Sequence, residues 1–209
     1  PDRIVYAITD AGRETAREWL REMLSTTGGE YPEFIAAVSI LFGLAPDDAR
    51  AHNNLGVALL ETRNFDLAIA EFRKSLELNS GSSQAHNNLG SALAESGKMD
   101  AAFTEFETSV QLNPDNASAQ TNLGNALALQ SGRLEEAIAH LRKGVEMKLD
   151  SASGQNNLGI ALARAGYLDE AADHLAKAAE LAPDSADYHY NFGRILAAQS
   201  KFSEALPQF

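Results

Sequence analysis

The chain is 209 residues long, 44% hydrophobic and 22% charged, with 17 basic and 29 acidic side chains and a formal net charge of −12. Such acidity argues against gripping bare phosphate backbone by charge, and the absence of cysteine excludes disulfides, thiolate metal sites and cysteine nucleophiles. No apolar run approaches the roughly 18 residues of a membrane span, no signal peptide is visible, and the apolar content is that of a folded chain.

Residues 1–48 stand apart. Residues 4–8 (Ile-Val-Tyr-Ala-Ile) alternate and are β-branched, which predicts a short strand. Thr9 or Asp10 can cap a helix running to about Leu24, with Ala16, Trp19, Leu20 and Met23 on one face. Residues 26–29 (Thr-Thr-Gly-Gly) break the pattern, and residues 34–42 read as a second helix ending near Pro46. A lone strand needs a hydrogen-bonding partner, which must come from other sequence or another chain. The chain opens on Pro1 and stops at Phe209 inside an apolar-periodic stretch, so a longer natural protein is expected.

From residue 49 onward one pattern recurs. Residues 52–56 and 86–90 both read His-Asn-Asn-Leu-Gly; related strings end at Gly124, Gly159 and Gly193, with glycines 34, 34, 35 and 34 residues apart. Ala68, Ala102, Ala137, Ala171 and Ala205 follow each glycine at 12 or 13 residues. Phe72, Phe106, Leu141, Leu175 and Phe209 stand four further on, and Ser80, Pro114, Asp150 and Pro183 close the units. Within a unit the apolar spacing is helical, as at Leu89, Leu93, Met99, Phe103, Phe106 and Val110. Gly97, Gly132 and Gly166 fall where a first helix should end. The recurring Gly and Ala predict two helices in close approach.

This pattern resembles the tetratricopeptide repeat (TPR) family, over residues 49–209. The resemblance implies an all-α, right-handed superhelical solenoid, preceded here by a small strand-plus-helix segment. Five units are expected: 49–82, 83–116, 117–151, 152–185 and an incomplete 186–209, the third with one extra residue near Leu129 and Gln130. Such units bury their faces only by stacking. Residues 6–13 with Trp19 and Leu20, and later residues 30–34, resemble the wing strand and following helix of PadR-type winged-helix regulators. The part of that family that enters the DNA groove lies upstream of this strand, so no residue here inherits nucleic-acid binding. An alternative reading makes residues 34–46 the second helix of a degenerate opening repeat, because Phe34, Val38, Leu41 and Pro46 fall at the right offsets.

TPR resemblance also implies that first helices line a concave groove. By position the groove receives Asn54, Asn88, Asn122, Asn157 and Asn191, two residues before each glycine. Asparagine is disfavoured in helices by roughly 0.5–0.7 kcal/mol relative to alanine. Its recurrence on one face therefore needs a reason. An amide both donates and accepts, so it can clamp the main chain of an extended peptide; the alternative is that each amide bonds the backbone of a neighbouring repeat. Asn53, Asn87, Thr121, Asn156 and Tyr190 precede the ladder, and Val57, Ser91, Asn125, Ile160 and Arg194 follow the glycines. Arg50, Arg164 and Arg194 are the groove's candidate cations, and Glu61, Glu95 and Asp187 its candidate anions. The remaining acidity, at Glu71, Glu77, Glu105, Glu107, Glu135, Glu136 and Glu146, is expected on a solvated outer face. Chaperone-binding TPR domains clamp a terminal carboxylate with lysines, but the equivalent positions here hold Asn53 and Asn87, which argues against that partner class.

Catalytic signals are weak. His52, His86 and His189 share one repeat position and are expected to pack between helices, while His140 and His174 share another. No histidine pair has the spacing of a helical metal site. No nucleophile elbow or phosphate loop is present. The reading is a non-enzymatic, cofactor-free, cytoplasmic interaction module for a protein or peptide partner, with no direct nucleic-acid or membrane contact. Self-association through uncapped ends is expected where Phe202, Leu206 and Phe209 lie on a terminal helix. Two alternatives are a PadR-type transcriptional regulator whose DNA-binding helices lie upstream and a substrate-recruiting appendage of an enzyme.

Overall fold

A computed structural model describes residues 48–208. The expected strand at 4–8, the helix to Leu24, the segment at 34–46 and Phe209 lie outside the described residues. The chain divides into two compact units, Pro1–Glu105 and Phe106–Phe209.

In unit 1, helices α1 (Ala49–Glu61), α2 (Phe65–Leu78) and α3 (Ser83–Glu95) follow one another, and α4 (Met99–Leu112) begins there and continues into unit 2. Helix α2 packs on both α1 and α3, which also touch each other. Leu59, Ala68 and Phe72 are fully buried, with Leu89 and Leu93 almost so. In unit 2, α5 (Ala117–Ala128), α6 (Leu134–Met147), α7 (Ala152–Ala165), α8 (Leu168–Leu181) and α9 (Ala186–Ala198) repeat the arrangement. A single turn, α10 (Phe202–Ala205), and a 3₁₀ turn at Leu206–Gln208 follow on α9. Ile138, Leu141 and Val145 of α6 meet Leu158, Ala161 and Leu162 of α7 and Ala171 of α8 in one cluster. Burying a Leu or Ile of this kind contributes about 1.5–3 kcal/mol. The expected terminal helix is shorter than its pattern suggests, because Pro207 cannot donate to a continuing α-helix; Phe202 and Leu206 remain 62% and 73% exposed.

First helices start on a recurring cap. Asp48, Ser82, Asn116 and Ser151 each accept a backbone N–H from the first turn of α1, α3, α5 and α7. Such a cap satisfies a donor that has no partner inside the helix. They end on a left-handed residue: Gly97, Gly132 and Gly166 have φ of 81°, 81° and 91°. In the other two repeats the same position holds Arg63 (φ 61°) and Ser200 (φ 63°). In four of these turns the next amide closes onto a carbonyl five residues back, at Asn64→Leu59, Lys98→Leu93, Tyr167→Leu162 and Lys201→Leu196, 2.8–3.0 Å, whereas Arg133 after Gly132 reaches Gln130 O at 3.4 Å. The extra residue of the third repeat is absorbed here: α5 stops at Ala128 and a longer turn at 129–133 leads to α6.

A side chain in the left-handed region is strained by roughly 1–2 kcal/mol, partly offset by glycine's larger entropy in the unfolded chain. Ser200→Gly is therefore expected to stabilise unit 2 by about 0.5–1 kcal/mol. Urea unfolding checks this through a higher midpoint at unchanged slope. Arg63→Gly should gain less, because it removes the stacking of Arg63 over Phe65 at 5.6 Å.

Candidate functional site

The asparagines are joined to one another. In unit 1, Asn88 Nδ2 donates to Asn53 Oδ1 at 3.0 Å, linking α3 to α1. Unit 2 repeats the rung between α9 and α7, where Asn191 Nδ2 donates to Asn156 Oδ1 at 3.0 Å. Asn156 Nδ2 in turn donates to Asn157 Oδ1 at 3.4 Å. Asn53, Asn87 and Asn156 are buried, at 8%, 8% and 7% exposure. Asn88, Asn122, Asn125, Asn157 and Asn191 are half-buried and Asn54 is exposed; Asn87 and Asn122 are engaged as well. The rung is thus side chain to side chain, where the sequence suggested a backbone partner. It uses one amide proton of Asn88 and of Asn191 and, among the described residues, leaves Oδ1 and the second proton of each uncommitted. A polar cleft of about 240 Å³ opens beside Asn53 in unit 1, walled by Arg50, Asn53, Asn54, Ser75, Asn79 and Gln84.

On the same face of unit 2, Tyr190 is 54% exposed and Ile160 37%. Arg194 stacks over the Tyr190 ring at 5.7 Å.

The histidines do more than fill space. Four sit in clasps joining the first and second helix of their repeat, and the fifth joins α9 to the 3₁₀ turn. His52 Nδ1 lies 2.6 Å from Glu71 Oε2, and His86 Nδ1 2.6 Å from Glu105 Oε2. In the next two repeats the partners are exchanged: His140 donates to Gln120 Oε1 at 2.7 Å and His174 to Gln155 Oε1 at 2.6 Å. His189 faces Gln208 Oε1 at 2.7 Å. The first-helix member also reaches back to a turn carbonyl left open after the preceding second helix. His86 meets Ser80 O, Gln120 meets Pro114 O, Gln155 meets Leu149 O and His189 meets Pro183 O, at 2.7–3.1 Å. His86 and His189 each have an oxygen within hydrogen-bond distance at each ring nitrogen. The amide nitrogens of Gln120 and Gln155 are committed to carbonyls, so their oxygens receive Nδ1–H from His140 and His174.

Glu71 corrects the expectation of a solvated acidic face. It is 2% exposed, held by His52 and by Lys74 Nζ at 2.9 Å. Glu105 is half-buried on His86. On unit 2 Glu135, Glu136 and Glu146 are exposed, whereas Glu107 is half-buried. Arg142 grips Glu170 with two hydrogen bonds, one of 2.8 Å, and its guanidinium holds that carboxyl below the usual range.

Burial lowers His140 and His174 below the ordinary imidazole value of 6.5; Lys143 adds to this at His140, while Glu170 opposes it at His174. Because the unfolded chain binds these protons more readily, this contribution is present above about pH 6.5 and is lost as the pH falls below it. Replacing both with glutamine should flatten the fall in melting temperature between about pH 7.5 and 5.5. Parallel pH profiles for the two proteins would contradict this role.

Residues 27–83, 125–186 and 156–209 match one tetratricopeptide-repeat family model, and residues 81–150 match a second. The chain belongs to the tetratricopeptide repeat family. Its fold is shared by YrrB, described as a TPR protein with an unusual peptide-binding site, at 26% identity over 78% of this chain and 83% of that one, TM-score 0.62. MamA from Desulfovibrio magneticus RS-1 is similar at 22% identity over 77% and 90%, TM-score 0.66. TTC0263, a thermophilic TPR protein of Thermus thermophilus, is similar at 23% identity over 77% and 87%, TM-score 0.63. No curated protein matches the sequence. Among the described residues no helix is long and apolar enough to cross a membrane, and no group of His, Asp and Glu is placed to hold a metal ion.

Proposed function

We propose that the chain is a protein-interaction module that lays an extended partner segment across the first-helix face of its repeats, the asparagine amides taking the segment's main chain. The observation that carries this is the recurrence of one rung in both units, Asn53–Asn88 and Asn156–Asn191, each leaving an amide oxygen and proton uncommitted among the described residues. A bonded amide is already oriented, so less side-chain freedom is lost when a partner arrives. Main-chain contacts give affinity, and Val57, Asn125, Ile160, Tyr190 and Arg194 select side chains. The peptide-binding site described for YrrB supports the same use of the fold. The family match beginning at residue 27 favours an opening repeat before residue 49.

The test is binding of blocked random peptides to the full chain, followed by fluorescence anisotropy. Asn157→Ala with Asn191→Ala is expected to weaken binding about tenfold or more, since the lost hydrogen bonds contribute about 0.5–1.5 kcal/mol each. Helicity should be unchanged. Undiminished affinity would reject the amides as the ligand site.

A further inference from the structure

We infer that the first-helix face of unit 2 takes an acidic partner segment, with Arg194 and Arg164 receiving its carboxylates; this rests on the interaction reading above and names the partner's chemistry. Charge is sorted by helix type within unit 2. Helices α6 and α8 carry seven carboxylates and three basic residues, whereas α5, α7 and α9 carry two arginines and one aspartate. The arginines are sorted too. Arg133, capping α6, is bonded to Glu136, and Arg142 on α6 to Glu170. Arg164 and Arg194, both exposed, have no carboxylate partner among the described residues.

The geometry suits a carboxylate. Arg194 Cζ lies over the Tyr190 ring, 5.7 Å from its centroid, and no carboxylate among the described residues takes its N–H groups, which can form a two-pronged hydrogen bond. The Asn191–Asn156 bond sets the register of α9 against α7, joining residues 35 apart in sequence. Arg194 therefore stands level with Gly159 and Ile160, and Arg164 follows one turn on, about 6 Å along α7. Both arginine stems can converge on an acid lying beside Ile160. Asp187 is in the first turn of α9, so the opposing charge sits at the other end of the face. The half-exposed Ile160 and Tyr190 offer an apolar seat next to the cations. The occupant is an extended segment in which an apolar residue adjoins one or more carboxylates.

The experiment uses three pools of short, end-blocked random peptides with a central phenylalanine flanked by glutamates, glutamines or lysines, titrated onto the full chain. The glutamate pool should bind about tenfold more tightly than the glutamine pool, and rising salt should erode the difference. Arg164→Gln with Arg194→Gln should abolish the difference between the glutamate and glutamine pools, while helicity is unchanged. A preference for lysine or glutamine peptides, or a glutamate preference that survives the double substitution, overturns the inference alone. Failure of every pool to bind would overturn the interaction reading and this inference with it.

Discussion

Phe72→Ala is expected to destabilise the protein by about 3–5 kcal/mol, because the ring is fully buried. The more informative result comes from pairing it with Gly56. A methyl group at Gly56 would stand 2.6 Å from Phe72 Cε1, so Gly56→Ala alone forces the ring to move and also destabilises, by about 1–3 kcal/mol. With the ring gone, the new methyl enters the space that Phe72 vacates. The double variant should then be clearly more stable than the sum of the two losses requires. Urea unfolding of the four proteins measures this coupling; simple additivity would show that Gly56 is not placed for the ring.

Gly159→Ala, on α7, should lose about 1–3 kcal/mol for a related but less reparable reason. A methyl there meets Leu175 Cγ at 2.6 Å and also the backbone oxygen of Ala171 at 3.1 Å. Leu175→Ala removes the first obstacle and leaves the second, since the carbonyl moves only with α8 itself. Rescue in that background should therefore be partial, in contrast to the Gly56 and Phe72 pair. Full rescue, read from the same unfolding midpoints, would mean that α7 and α8 are not held together at this point.

The helix pairs and their glycine crossings were legible because both follow from period and size. A small residue every thirty-four positions has one physical use, close approach, and the contacts at Gly56, Gly124 and Gly159 bear this out. The left-handed turns were legible at Gly97, Gly132 and Gly166 but not at Arg63 and Ser200, where stacking and register hold a residue that does not favour the conformation. The histidine clasps escaped notice because each pairs residues 19 or 20 apart on different helices. A signal existed: glutamine takes the first-helix place of histidine at Gln120 and Gln155, just where His140 and His174 appear on the second. Glu71 was misplaced for the same reason, since nothing local marks a carboxylate whose partner comes from the preceding helix. The resemblance of residues 6–34 to a PadR wing has no counterpart in the family matches, which are tetratricopeptide models.

The asparagine face draws the stack and the binding reading together. Its amides hold neighbouring first helices in register and keep further hydrogen-bonding capacity, so structural and ligand roles are carried by different atoms of one side chain. The most direct measurement is the nuclear magnetic resonance spectrum of the side-chain amides during titration with a peptide that binds. The account expects the NH₂ signals of Asn88, Asn157 and Asn191 to shift in proportion to occupancy, while amides on the second helices stay in place. Shifts confined to the second helices, with those asparagine signals unmoved at saturation, would contradict it.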